Sequence, residues 1–221
     1  MDNKPRVTDL RQNADSATAR GLLVDFGGVL TTDVFQSFRK FCVAEGLHED
    51  AFKDLLKSNA DVRAKLRRLE TNRLSAEDFG AYLGPLLGVE QTDGLMGRLF
   101  SGIGPDLKMI DAVRRARAAG IRTGLISNSV GSDIYDQAVL DELFESVVIS
   151  GEVGMHKPQP EIFRLGAERI GLPPERCVFV DDLRENCAGA EAVGMTAVLH
   201  RSPDRTLPVL ERLLGLVLPR N

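Results

Sequence analysis

The chain has 221 residues, 43% hydrophobic and 27% charged, enough for one sizeable core and a smaller accessory unit. Its net charge of −4 supplies no global field for nucleic acid or an anionic membrane, so neither is expected as a partner. Cys42, Cys177 and Cys187 are odd in number and widely spaced. They read as reduced thiols of a cytoplasmic protein, since neither a disulfide framework nor a zinc site has that spacing.

No run is apolar and long enough to span a bilayer. Residues 1–19 are polar, carry both charges, and read as a flexible tail rather than a secretory signal. Gly21–Val24 is then a short apolar run before Asp25, with Gly27-Gly28 as a turn.

From about Asp33 to Leu99 the pattern becomes helical. Val34, Phe35, Phe38, Phe41 and Cys42 share a helical spacing, and Leu55, Leu56, Leu66 and Leu69 recur similarly. Ser75 ahead of Ala76-Glu77-Asp78 has the form of a helix cap before Phe79, Tyr82 and Leu83. Nothing in this stretch reads as a strand; four or five short helices are expected.

After Gly102-Ile103-Gly104-Pro105, helices and strands alternate. Helices are predicted over Leu107–Ala119, about Asp133–Leu140, Gln159–Ile170, Arg184–Val193 and roughly Leu207–Leu214. Gly120, Gly171, Gly194 and Gly215 close four of them, and Pro208 is placed in the first turn of the last. Strands are predicted over Thr123–Ile126, Val147–Ser150, Cys177–Val180 and Thr196–Leu199. Such alternation implies βαβ units and a parallel sheet.

Ligands of parallel α/β sheets bind at the carboxyl ends of the strands, where Asp25, Ser127 and Asp181-Asp182 are expected. Singly, each could be a helix cap or a turn former. Together with Lys157, set just ahead of a proline-marked helix start, they form another kind of set. It combines a carboxylate able to form a covalent intermediate, a hydroxyl, a cation and an acidic pair suited to a hard metal ion.

The segments DFGGVLT, ISNS, HKPQPEIF and FVDDLRENCAGAEAVGM resemble the haloacid dehalogenase-like hydrolase superfamily, in the branch with a helical cap inserted after the first strand. Within it the chain looks most like the amino-terminal phosphatase domains of epoxide hydrolases and nearby sugar-phosphate phosphatases. The resemblance runs from Gly21 over nearly the whole chain. It implies an α/β fold: a Rossmann-like parallel-sheet core from residues 20–32 and 103–221, with an all-helical cap over 33–102.

It also implies an Mg²⁺-dependent hydrolase acting on a small phosphorylated substrate, as a monomer or homodimer. Asp25 would be the nucleophile, with Ser127, Asn128 and Lys157 binding the phosphoryl group. Asp25, Asp181, Asp182 and the Gly27 carbonyl would hold the metal. Asp182 is suggested as the direct ligand, and Asp181 as a water-mediated partner or Lys157 contact; strand alternation decides neither. Asn186 would steady this loop, and Gly189 and Ala190 would permit close helix packing.

One position departs from the family pattern. Most phosphatases of the superfamily carry a second aspartate two residues after the nucleophile, and here that residue is Gly27. Glycine keeps the carbonyl but lacks the side chain that would protonate the leaving oxygen. The proton would then come from a cap residue, water or the substrate. Two other readings remain: a metal-independent dehalogenase-like enzyme, and a catalytically impaired module that binds phosphate or a partner. Arg63, Lys65, Arg67, Arg68 and Arg73 form a basic stretch that is either a solvated face or a greeting for an anionic substrate.

Overall fold

The computed structural model describes residues 21–129 and 135–218. The expected tail, and the first residues of the helix placed near Asp133–Leu140, lie outside the described residues. Five parallel strands form one sheet: β1 (Gly21–Val24), β2 (Arg122–Ser127), β3 (Ser146–Ile149), β4 (Cys177–Asp181) and β5 (Thr196–Leu199). Their order is β3-β2-β1-β4-β5, which puts the first strand in the middle.

The central strand is apolar throughout because both of its faces are covered. Leu22 and Val24 join one core with Leu125, Val178 and Val180, under α6 (Leu107–Ala118) and α11 (Pro203–Leu214). Leu23 points the other way. It packs with Ile126, Val148 and Phe179 against α9 (Pro160–Arg169) and α10 (Arg184–Glu191). Helices α7 (Gln137–Leu143) and α8 (Ser150–Val153) flank β3 in sequence.

Between β1 and α6 the chain forms α1 (Val34–Ala44), α2 (Ala51–Ser58), α3 (Ala60–Glu70), α4 (Ala76–Leu87) and α5 (Leu95–Phe100). These have a core of their own, which includes Phe38, Phe52, Phe79, Leu83, Leu95 and Leu99. Their starts are chemically marked. Asp33 accepts from the Phe35 N–H, Asn59 from Asp61 and Val62, and Ser75 from Asp78. Among the described residues the insert contains no strand.

Helix α11 begins earlier than the sequence reading placed it. Its N1 residue is Pro203, where the missing N–H would be unpaired anyway. Pro208 therefore lies in the second turn and forgoes a helical hydrogen bond there. Leu207, Leu210 and Leu214 still face the core. Gly120 has φ +84°, so the chain can reverse after α6 and enter β2 with little strain.

Close packing of α10 fixes the loop that carries Lys157. A Cβ on Gly189 would lie 2.7 Å from the Pro158 carbonyl oxygen and 2.8 Å from Phe163 Cε2. Gly189→Ala should therefore displace that loop and destabilise the fold by about 1–3 kcal/mol. Urea unfolding checks this as a lowered midpoint at unchanged slope.

Candidate active site

Strand register assembles the site. Val24 of β1 lies level with Leu125 of β2 and Val180 of β4. Asp25, Ser127 and Asp181 consequently leave the sheet at one edge. The Asp25 N–H donates to the Val180 carbonyl at 2.9 Å, extending the ladder to the acid itself.

Lys157 reaches this edge from the loop before α9. Its Nζ lies 2.7 Å from Asp25 Oδ1 and 2.8 Å from Asp181 Oδ2, with only 3% of the residue exposed. The Phe179 ring lies on its other side, 5.4 Å away. Burial alone would depress the lysine pKa, but Asp181 and Asp25 outweigh that and raise it, so the ammonium stays charged.

Each acid has a distinct setting. Asp181 is fully buried and accepts from Lys157, from both approaches of Asn186 Nδ2 (3.0 and 3.1 Å) and from the Leu183 N–H. Asp182 is half-buried, with its carboxylate against Gly28. A Cβ on Gly28 would stand 2.7 Å from Asp182 Oδ2, and φ is +74°, so glycine is required twice over. The Arg201 guanidinium holds the Asp182 carbonyl at 3.0 Å.

Burial, then Asp181 and Asp182, push Asp25 up to about 7 despite the opposing pull of Lys157. Burial and Asp181 push Asp182 up to about 6. Carboxylate oxygens of Asp25, Asp181 and Asp182 lie within 4.8 Å of one another. Acids so crowded resist ionising together unless a cation joins them, and hard oxygen donors suit Mg²⁺. The Gly27 carbonyl accepts no hydrogen bond among the described residues. The donor set fits a divalent ion.

Ser127 is buried and accepts a 2.9 Å hydrogen bond from the Tyr135 hydroxyl. The Tyr135 ring packs edge-on against Phe26 at 4.5 Å. Asn128 spends its side chain on the lysine loop: Oδ1 accepts from the Lys157 N–H at 2.9 Å and Nδ2 donates to its carbonyl at 3.1 Å. The amide anticipated for a phosphoryl group thus locks Lys157 in place. His156 is a loop residue whose Nδ1 lies 2.9 Å from the Lys157 carbonyl.

Much of the basic stretch has structural partners. Arg63 binds the Leu56 and Lys57 carbonyls, Lys65 lies over the Tyr82 ring, and Arg68 contacts the Arg73 carbonyl.

Tyr135 and Ser150 join this edge with no signal in the sequence to mark them. Ser150 is fully buried; its Oγ lies 2.5 Å from the Glu70 carbonyl and 3.0 Å from that of Ser129, and accepts from the Ser129 N–H. Glu70 ends α3, just before Asn72 with φ +55°. Asn72, a residue type that tolerates the left-handed region, is the sequence signal for a tight turn there.

A profile of haloacid dehalogenase-like hydrolases matches residues 19–194. The chain belongs to this family. It is 31% identical over 115 residues to fructose-1-phosphate phosphatase YqaB of Escherichia coli, a match covering 51% of this chain and 60% of that protein. It is also 31% identical over 106 residues to glyceraldehyde 3-phosphate phosphatase of Methanopyrus kandleri, covering 46% of each. Both matches span less than two thirds of the relative's own length. The solved structure of a HAD-like family hydrolase from Porphyromonas gingivalis superposes with a TM-score of 0.65 at 25% identity, covering 90% of this chain and 98% of that one. Among the described residues no helix is long and apolar enough to cross a membrane.

Glu70 gives a pH signature in stability. Burial pushes its carboxyl up to about 7 from an ordinary value of 4.5, against a partial offset from Lys157. The folded state therefore holds a proton that the unfolded chain has lost, and this contribution disappears as pH rises through about 7. Glu70→Gln should match the parent near pH 4 and exceed it at pH 8 by about 1–3 kcal/mol, measured by urea unfolding without metal.

Proposed function

We propose that the protein is a Mg²⁺-dependent phosphatase acting on a small phosphate ester, such as a sugar phosphate, through an aspartyl-phosphate intermediate. The observation that carries this reading is the Lys157 ammonium held between Asp25 and Asp181, beside a third carboxylate, at the edge of a parallel sheet. Two relatives named as sugar-phosphate phosphatases support it.

The ion pair engages Asp25 Oδ1 and leaves Oδ2 clear of it as the attacking atom. Two of the three Lys157 protons go to Asp25 and Asp181. The third faces the charge that develops on the transferring group. Ser127, having accepted from Tyr135, keeps its own proton to donate to a phosphoryl oxygen. Asn128 and Asn186 do not touch substrate in this scheme; they set the lysine backbone and the Asp181 carboxylate.

Asp25, Asp182 and the Gly27 carbonyl would hold the metal, with Asp181 retained by Lys157 and Asn186. When bound, Mg²⁺ neutralises the phosphoryl oxygens and the crowded acids. A halide-releasing enzyme would have little use for the Asp181-Asp182 pair.

Phosphate release from 4-nitrophenyl phosphate and from a sugar-phosphate panel should require Mg²⁺ and stop on chelation. Asp25→Asn should lower it by at least about 10³-fold, the scale of losing a covalent nucleophile. Chloride release from a 2-haloacid without metal, in place of phosphate release, would overturn the reading.

A further inference from the structure

A side chain is missing beside the nucleophile, and the structure leaves room for one. A Cβ on Gly27 would meet only Val34 Cγ2, at 3.3 Å, and Gly27 is not in the left-handed region. An acidic side chain could stand there with little strain. No other group on the β1 turn replaces it: Thr31 accepts from the Gly28 N–H and contacts the Thr32 carbonyl, while Asp33 caps α1.

The helical insert is tied to the core near the end of β2 through Glu70. Glu70 is the last residue of α3, and its carbonyl is clipped to the core by Ser150 Oγ at 2.5 Å. Ser150 in turn binds both backbone groups of Ser129, two residues beyond Ser127. Lys157, Asp25, Arg67 and Glu185 all act electrostatically on Glu70. The residue is half-buried, and its carboxylate makes no hydrogen bond or ion pair among the described residues. Asp181 is already engaged by Lys157, and Asp182 belongs to the acidic cluster.

Resting on the phosphatase reading above, we propose that Glu70 is the proton-transfer residue, supplied by the insert in place of the side chain that Gly27 lacks. Asp25 attacks phosphorus and the bond from phosphorus to the ester oxygen breaks. The Glu70 carboxyl gives its proton to that departing oxygen, releasing an alcohol and becoming carboxylate. Water then attacks the aspartyl phosphate and gives a proton to Glu70 as the bond from phosphorus to Asp25 breaks. Inorganic phosphate leaves, and both acids return to their starting states. Burial raises the Glu70 carboxyl above the ordinary carboxylate range, the direction that suits a proton donor.

The test is leaving-group dependence. Nitrophenoxide departs readily without a proton, whereas phenoxide is about as basic as a tyrosinate and needs one. With Mg²⁺, Glu70→Gln should lower kcat/KM for phenyl phosphate about 10²-fold more than for 4-nitrophenyl phosphate, the lower end of general acid–base help. Gly27→Asp should restore phenyl phosphate turnover in the Glu70→Gln background. A merely structural role would depress both esters together and allow no rescue. Equal losses, or undiminished phenyl phosphate turnover, overturn the assignment while Asp25-dependent phosphate release keeps the phosphatase reading standing. No Asp25-dependent release from either ester by the parent overturns both.

Discussion

A lysine ammonium sealed between two carboxylates is the constraint around which this molecule is built. Burying one such charge is expensive, and it persists only because Asp25 and Asp181 lie at hydrogen-bonding distance on either side. That geometry makes demands in several directions. Strands β1 and β4 must be in register so that the two acids end level. The lysine loop must be held from outside, which Asn128 does from the end of β2 and Gly189 does by letting α10 approach Pro158. Removing one partner would leave an uncompensated charge in a dry site, so fold and chemistry share the same side chains.

The charge balance explains the rest of the site. With three acids ionised and one ammonium, the cluster is two charges short of neutral, and Asp25 and Asp182 are both driven above the usual carboxylate range. An anionic substrate could not approach such a cluster alone. A divalent ion would restore balance and, on the phosphatase reading proposed above, turn a repulsive corner into one that accepts phosphate. Arg201 is already engaged, holding the Asp182 carbonyl.

Much of this was legible in the chain because the signals are local. β5 falls on the predicted Thr196–Leu199, and β4 on Cys177–Val180 with one residue more. Acidic and hydroxyl residues at the ends of apolar runs are strand-end groups in the structure, and Asp181 contacts Lys157. Misreadings arose where two local signals competed. Pro203 and Pro208 can each start a helix, and only packing of Leu207 and Leu210 shows that the earlier one does. What could not be read was long-range. Glu70 and Ser150 are 80 positions apart, and Tyr135 reaches Ser127 only after the chain has turned back from β2. No periodicity or cap encodes such a meeting.

The point of insertion gives the Gly27 departure its physical sense. The five-helix insert springs from the turn that carries Asp25 and Gly27, so one short segment sets both the nucleophile and the root of the insert. A side chain at Gly27 would belong to the core and stay beside Asp25 whatever the insert did. A carboxyl at Glu70 belongs to the insert, whose backbone there is held to the core by Ser150. The Ser150 hydroxyl has one proton and faces two carbonyls, those of Glu70 and Ser129, so it can satisfy one of them when the other is lost. That clip is therefore inexpensive to open. Proton transfer placed on Glu70 would tie the acid to the insert, while the nucleophile and the lysine stay with the core.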